Sequence, residues 1–229
     1  MANQPPRLVL ATGNAHKIAE LARILAVGGS MGIDLVGLDH FGDGPQPAET
    51  GGTFAENALI KARAVAEFTC LPAVADDSGL CVDALNGMPG VLSARWSGRH
   101  GDDAANLDLV LAQLIDVPSA RRGAQFYCAA ALVAPAVGAA GVSAAGSAGP
   151  AVERVVSGQV VGRLVTQPRG SNGFGYDPIF VPAGEERTMA EMTPEEKDAI
   201  SHRGRAFRAL APLIAELLTV GATSASGAG

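Results

Sequence analysis

Aromatic side chains are scarce in this chain: Phe, Tyr and Trp together make up 4% of it, while hydrophobic residues as a class reach 48%. A core is therefore affordable only as Ala, Val and Leu packing. Basic residues are also in the minority, 17 Lys and Arg against 23 Asp and Glu, for a net charge of −6. Broad binding to a nucleic-acid backbone depends on cation-driven counterion release, so this balance argues against it. A small phosphorylated ligand held with a metal remains compatible. No run of like charge is long enough to form an interaction tail. The cysteines, Cys70, Cys81 and Cys128, are odd in number and lack metal-site spacing, which fits free thiols in a reducing cytosol. Long hydrophobic runs are missing too. The N-terminal MANQPPR has no apolar signal core, and the most apolar region, Cys128 to Val152, is Ala/Gly/Ser-rich and broken by Pro135 and Pro150. The reading is a soluble, cytoplasmic protein that binds neither nucleic acid nor membrane.

Several catalytic signatures are absent. The histidines, His16, His40, His100 and His202, show neither HExxH nor zinc spacing. There is no G-x-S-x-G elbow, no Walker A run and no GxGxxG. Serine-based acyl transfer, zinc hydrolysis, P-loop ATPase chemistry and Rossmann dehydrogenation all lack a motif.

What is present begins at Leu8 to Glu20, LVLATGNAHKIAE. Leu8-Val9-Leu10-Ala11 reads as a buried strand, Thr12-Gly13-Asn14 as a tight turn, and Ile18, Leu21, Ala22 and Leu25 as the apolar stripe of a helix reaching about Val27. Strand, turn and helix start together aim backbone N–H groups and a helix dipole at one spot suited to phosphate, with Lys17 able to reach back over it. The same stretch also reads as an ordinary turn with Asn14 as cap and Lys17 in solvent.

Ile33 to Leu38 is a second strand, and residues 39–52 form a Gly/Pro-rich loop carrying Glu49. Thr53 to Phe68 is a helix opened by a capping box, Thr53 with Glu56, and striped by Ala55, Ala58, Leu59, Ala62 and Ala66. Asn57 and Lys61 share one face of it, and Lys61 reads as a solvated lysine unless that face lines a cleft. Leu71 to Ala75 is a central strand ending in Asp76-Asp77-Ser78-Gly79. Adjacent carboxylates at the end of an apolar strand are costly unless exposed, paired or metal-bound. In a regular strand they point to opposite faces, so both serve one site only if the chain bends at Asp77. A plain Asp-Ser-Gly turn is the alternative to a site for a hard divalent cation. After Leu80-Cys81-Val82 and a turn at residues 86–90, Asp102 or Asp103 opens a helix to about Ile115.

Residues 124–134 and 154–167 read as two strands of a ribbon, the second with a turn or bulge at Gly158, joined by a flexible low-complexity segment at about 135–151. In GSNGFGYDPIF, residues 170–180, Gly173 and Gly175 flank Phe174, leaving its ring available for stacking on a base; a structural turn with Phe174 and Tyr176 in the core is the competing reading. Thr193-Pro194-Glu195-Glu196 caps a short helix carrying Lys197. A last helix runs from Ser201-His202-Arg203 to about Leu218, followed by a disordered-looking tail. A phosphate-ready helix start, acids for Mg²⁺, an aromatic-glycine loop and late cations together describe a nucleotide phosphate hydrolase.

TGNAHK (12–17), ETGGTFAENALIKA (49–62), ADDSGL (75–80), FGYDPIF (174–180) and EEKDAISHRGRA (195–206), in this order, resemble the inosine triphosphate pyrophosphatase family of non-canonical purine NTP pyrophosphatases. The segment around 135–151 departs from that family's compact connection. The resemblance implies an α/β fold with a long mixed β-sheet flanked by helices, in two lobes with a central substrate cleft. Residues 1–219 would form that single domain and 220–229 the tail. It also implies Mg²⁺-dependent hydrolysis of ITP, dITP or XTP to monophosphate and pyrophosphate by a homodimer. Thr12, Gly13, Asn14, Ala15, His16 and Lys17 would cradle the triphosphate. Asp77 would be general base and metal ligand, with Glu49 and Asp76 the other metal-site acids. Ser78 would contact substrate, Phe174, Gly175, Tyr176 and Asp177 would close on the nucleotide, and Lys197, His202 and Arg203 would reach the base. Two rival readings are a pyrophosphatase for modified pyrimidine nucleotides and a non-catalytic nucleotide sensor.

Overall fold

A computed structural model describes residues 5–12, 23, 33–135 and 152–225. Strand β1, Arg7–Leu10, has a parallel neighbour on each side and buries the successive residues Leu8, Val9 and Leu10, so both of its faces are covered. The neighbours are β2, Asp34–Gly37, and β3, Ala73–Val82, with Leu8 opposite Leu35 and Leu10 opposite Val74. Between β2 and β3 runs α1, Phe54–Thr69, and its capping box forms as the sequence implies: Thr53 Oγ1 accepts from Glu56 N, and Glu56 Oε2 accepts from Thr53 N. Helix α2, Asp103–Gln113, follows β3. Strands β4, Gly123–Ala134, β5, Val152–Leu164, and β6, Phe180–Pro182, complete a mixed sheet in the order β2-β1-β3-β4-β5-β6, where β5 and β6 are antiparallel. Helices α3, Pro194–Ile200, and α4, His202–Ala225, close the chain.

The chain divides into two compact units, Met1–Asp77 with Ala129–Val156 and Ala206–Gly229, and Ser78–Cys128 with Ser157–Arg205. In the first, small apolar residues dominate the interior: Ala58, Ala62, Val65 and Ala66 of α1, and Ala129 to Ala134 of β4, joined by Phe207, Leu210 and Ile214 of α4. The second is centred on Leu80, Leu114, Phe126, Ile179, Phe180 and Met189.

Four expectations change. Strand β3 does not end at the acids but runs unbroken through Asp76, Asp77, Ser78 and Gly79. Asp-Ser-Gly favours a turn locally, yet β1 and β4 flank the strand, and Ser93 Oγ accepts from Leu80 N, so no turn is needed to satisfy that group. Gly79 suits this place because a Cβ there would stand 2.5 Å from the Gly90 carbonyl oxygen. Strand β5 passes through Gly158 without interruption and stops at Leu164, short of the expected Gln167. Val165 N still donates to the Ile179 carbonyl in the β5–β6 register, but Ile179 ends a single 3-10 turn, Asp177–Ile179, and Pro168 has no N–H to extend the ladder. Finally, α4 continues past Leu218 to Ala225, although the tail is compositionally simple. An established helix adds residues at little cost, and Ala222 is a strong helix former. Of the expected first helix only Arg23 is described, and it is helical; Gly13 to Lys17 and the segment 136–151 lie outside the described residues.

Candidate functional site

Among the described residues, the candidate side chains gather in two groups, one in each unit. In the first unit, α1 presents Asn57 and Lys61 on one face, four residues apart, toward the Asp77 carboxylate. Lys61 Nζ donates to Asp77 Oδ1 at 2.9 Å and to Glu49 Oε1 at 3.1 Å. Asn57 Nδ2 donates to Asp77 Oδ2 at 3.2 Å, while its own Oδ1 accepts from Gly51 N at 2.8 Å. The ETGG loop and the ADDSG strand are thereby joined through a single helix face. Gly51 permits the approach, since a Cβ there would lie 2.7 Å from Asn57 Oδ1. Asp76 and Asp77 are both 6% exposed.

Among the described residues, the Lys61 ammonium faces three carboxylates, Asp77, Asp76 and Glu49. Burial pushes the Asp77 carboxyl above the ordinary aspartate range. Lys61 and Asn57 pull the other way without cancelling that rise, and Glu49 adds to it. Burial also works against the charge on Lys61, but Asp77, Asp76 and Glu49 outweigh it and hold the ammonium more firmly than in an ordinary lysine. Lys61 is thus not the solvated helix lysine that its pattern suggests. Asn57, fully buried, is the other residue whose role the sequence conceals. Their signal was the shared face; nothing local says what covers that face.

In the second unit, the loop 170–177 packs beside α3 and the start of α4. Gly173 and Gly175 adopt the left-handed backbone conformation, with φ +78° and +62°. At Gly173 a Cβ would collide with the Asp177 carboxylate. Asp177 Oδ2 accepts from Phe174 N at 2.9 Å and from Lys197 Nζ at 2.6 Å, a buried ion pair. The half-buried Phe174 ring has Lys197 Nζ 5.0 Å and Arg203 Cζ 5.4 Å from its centroid. Arg203 Nη2 donates to Ser78 Oγ at 2.7 Å. The His202 ring stacks on Phe126, 4.8 Å between centroids and 12° between planes.

The two readings of this loop therefore divide between its aromatics. Tyr176 belongs to the core: it is 5% exposed, and its hydroxyl donates to the Ser93 carbonyl. Burial, then the nearby Asp103 charge, push that phenol well up. Phe174 keeps an accessible ring among cations. Thr12 follows β1 and is half-buried, whereas Gly13, Asn14, Ala15, His16 and Lys17 lie outside the described residues.

Comparison with known proteins gives a consistent result. The model of the Ham1 family matches residues 8–213. A Streptomyces avermitilis protein named dITP/XTP pyrophosphatase is 60% identical over 93% of this chain and 98% of its own length. A crystal structure titled nucleoside-triphosphatase / dITP/XTP pyrophosphatase, from Mycobacterium abscessus, is 54% identical with a TM-score of 0.68, covering 91% of this chain and 99% of that one. A Ham1 protein structure from Coxiella burnetii is 39% identical with a TM-score of 0.75, covering 92% and 99%.

Proposed function

Because this chain belongs to the Ham1 family, we propose that it hydrolyses non-canonical purine nucleoside triphosphates (dITP, ITP and XTP) to the monophosphate and pyrophosphate, with Mg²⁺. One observation carries the reading. The buried Asp77 is held on both carboxylate oxygens by α1, in a chain whose relatives are named for this activity.

Asp77 is the general base. Its raised pKa makes it a stronger proton acceptor than an exposed aspartate, and Lys61 and Asn57 fix its plane. Each of its oxygens keeps a lone pair with which to orient the attacking water. Glu49, Asp76 and Asp77 suit Mg²⁺, being oxygen donors only. Mg²⁺ takes one or two carboxylates and completes its shell with water and substrate phosphates. The acids meet that requirement although, among the described residues, no three His, Cys, Asp or Glu are placed to cage a metal. When bound, the ion supplies charge neutralisation on the phosphate oxygens and a more acidic water. Residues 12–17, whose sequence pattern suits phosphate, bind the triphosphate.

The second group reads the base. Phe174 offers a ring for stacking, and Arg203, His202 and Lys197 offer donors to the 6-oxo group of hypoxanthine or xanthine. Adenine sets a 6-amino donor against those donors, leaving buried polar groups unmatched; such mismatches discriminate by up to about 10⁴–10⁵-fold. The enzyme acts as a homodimer in the cytoplasm. Among the described residues, no helix is long and apolar enough to cross a membrane.

The test is a product assay with Mg²⁺ across ITP, dITP, XTP, dUTP and ATP. Pyrophosphate is expected from the first three alone. Cleavage of dUTP but not ITP would move the protein to the pyrimidine class, and binding without products would make it a sensor.

A further inference from the structure

The loop that presents Phe174 is fastened from outside the groups described above. Asp103 Oδ2, at the first position of α2, accepts from Gly175 N at 2.9 Å. Asp103 is free to do so because its neighbour Asp102 caps the helix, accepting from Ala105 N at 3.1 Å. The two consecutive N–H groups at the tip of the loop thus rest on two carboxylates, Phe174 N on Asp177 and Gly175 N on Asp103. Tyr176 and Asp177 anchor the loop on its C-terminal side, but Gly175 itself has only backbone to offer. A groove of about 430 Å³ lies along the loop and α2, lined by Ala104, Leu107, Asp108, Pro168, Asn172 and Pro178. Gly175 has no side chain to fill it, and its left-handed φ of +62° is a conformation that L side chains rarely adopt. Across this open space the Asp103 carboxylate is a direct link to the loop tip.

We propose that Asp103 is a positioning residue for nucleotide recognition: by holding Gly175 N it keeps the Phe174 ring in place beside Lys197 and Arg203. The proposal rests on the reading of Phe174 as the base-stacking residue. In this role Asp103 acts through the loop, so its loss weakens binding and leaves the chemical step intact. Asp103→Ala removes the acceptor, whereas Asp103→Asn keeps an oxygen able to accept from Gly175 N.

The experiment measures steady-state kinetics of the full chain on dITP with Mg²⁺, for wild type, D103A and D103N, alongside hydrogen exchange of the peptide spanning 170–178 without nucleotide. For D103A the KM is expected to rise about tenfold, the loss of one charge-assisted hydrogen bond, with kcat within about twofold. The loop amides should exchange faster. D103N should return KM to within about threefold of wild type. An unchanged KM in D103A, a fall in kcat at constant KM, equal damage in both variants, or an unfolded D103A would each overturn the proposal. If wild type turns over no purine triphosphate, the functional reading fails instead, and unaltered exchange in D103A would then remove the tether as well.

Discussion

At the scale of single residues, Asp77 carries the opposing demands of stability and function. Its folded-state pKa is raised, so the folded protein binds the proton more readily than the unfolded chain. The sign follows: the charged carboxylate lowers stability above its folded pKa, and that cost fades as pH falls toward the unfolded value. Asp77→Asn should therefore reduce turnover by about 10²–10⁴-fold. Its melting temperature at pH 8 in chelator should be no lower than wild type, with any gain closing by about pH 4. A mutant that keeps near-normal turnover, or melts well below wild type, would contradict this assignment. Lys61 behaves differently, because its removal takes away the ammonium that two acids share. Lys61→Met should destabilise by about 2–4 kcal/mol in urea denaturation at pH 8, since Glu49 and Asp77 lose their shared partner while largely buried. A change under about 0.5 kcal/mol would mean that water replaces the ammonium freely.

At the scale of elements, α1 is the piece that turns a sequence motif into a group of side chains. Its N-terminus is set by Thr53 and Glu56, and Glu56 Oε2 also accepts from Gly52 N at 2.7 Å. Asn57 and Lys61 follow one and two turns later, so the cap sets their phase. Thr53→Ala should cost about 1 kcal/mol, or about 2–4 °C in melting temperature for a chain of this size, and should raise exchange at the first turn. An unaltered melting temperature would show that tertiary packing alone holds the helix start. This cap was legible because a capping box is a local pattern. The continuity of β3 was not, because Asp-Ser-Gly is locally turn-prone and only the flanking strands and Ser93 keep it extended. Likewise Asp103 reads in sequence as a helix opener, and nothing within its own segment announces Gly175, 72 positions away.

At the scale of the whole molecule, no three His, Cys, Asp or Glu among the described residues are placed to cage a metal. Chelation should abolish turnover on dITP and restoring Mg²⁺ should recover it, while the melting temperature stays within about 2 °C. A chelator that unfolds the protein would point to a structural ion. The scarcity of aromatics is answered by an interior of Ala, Val and Leu, with Phe126, Phe180 and Phe207 at a few deep positions. Among the described residues, the sequence by itself determined the type of the main strands and helices and the capping box of α1, because these follow from nearest-neighbour periodicity and local hydrogen bonding. Only the tertiary structure decided which charges meet. Lys61 lies between Glu49 and Asp77, Arg203 on Ser78 and Lys197 on Asp177 through contacts 12 to 125 positions apart, and pairings at that range depend on how the chain returns to itself.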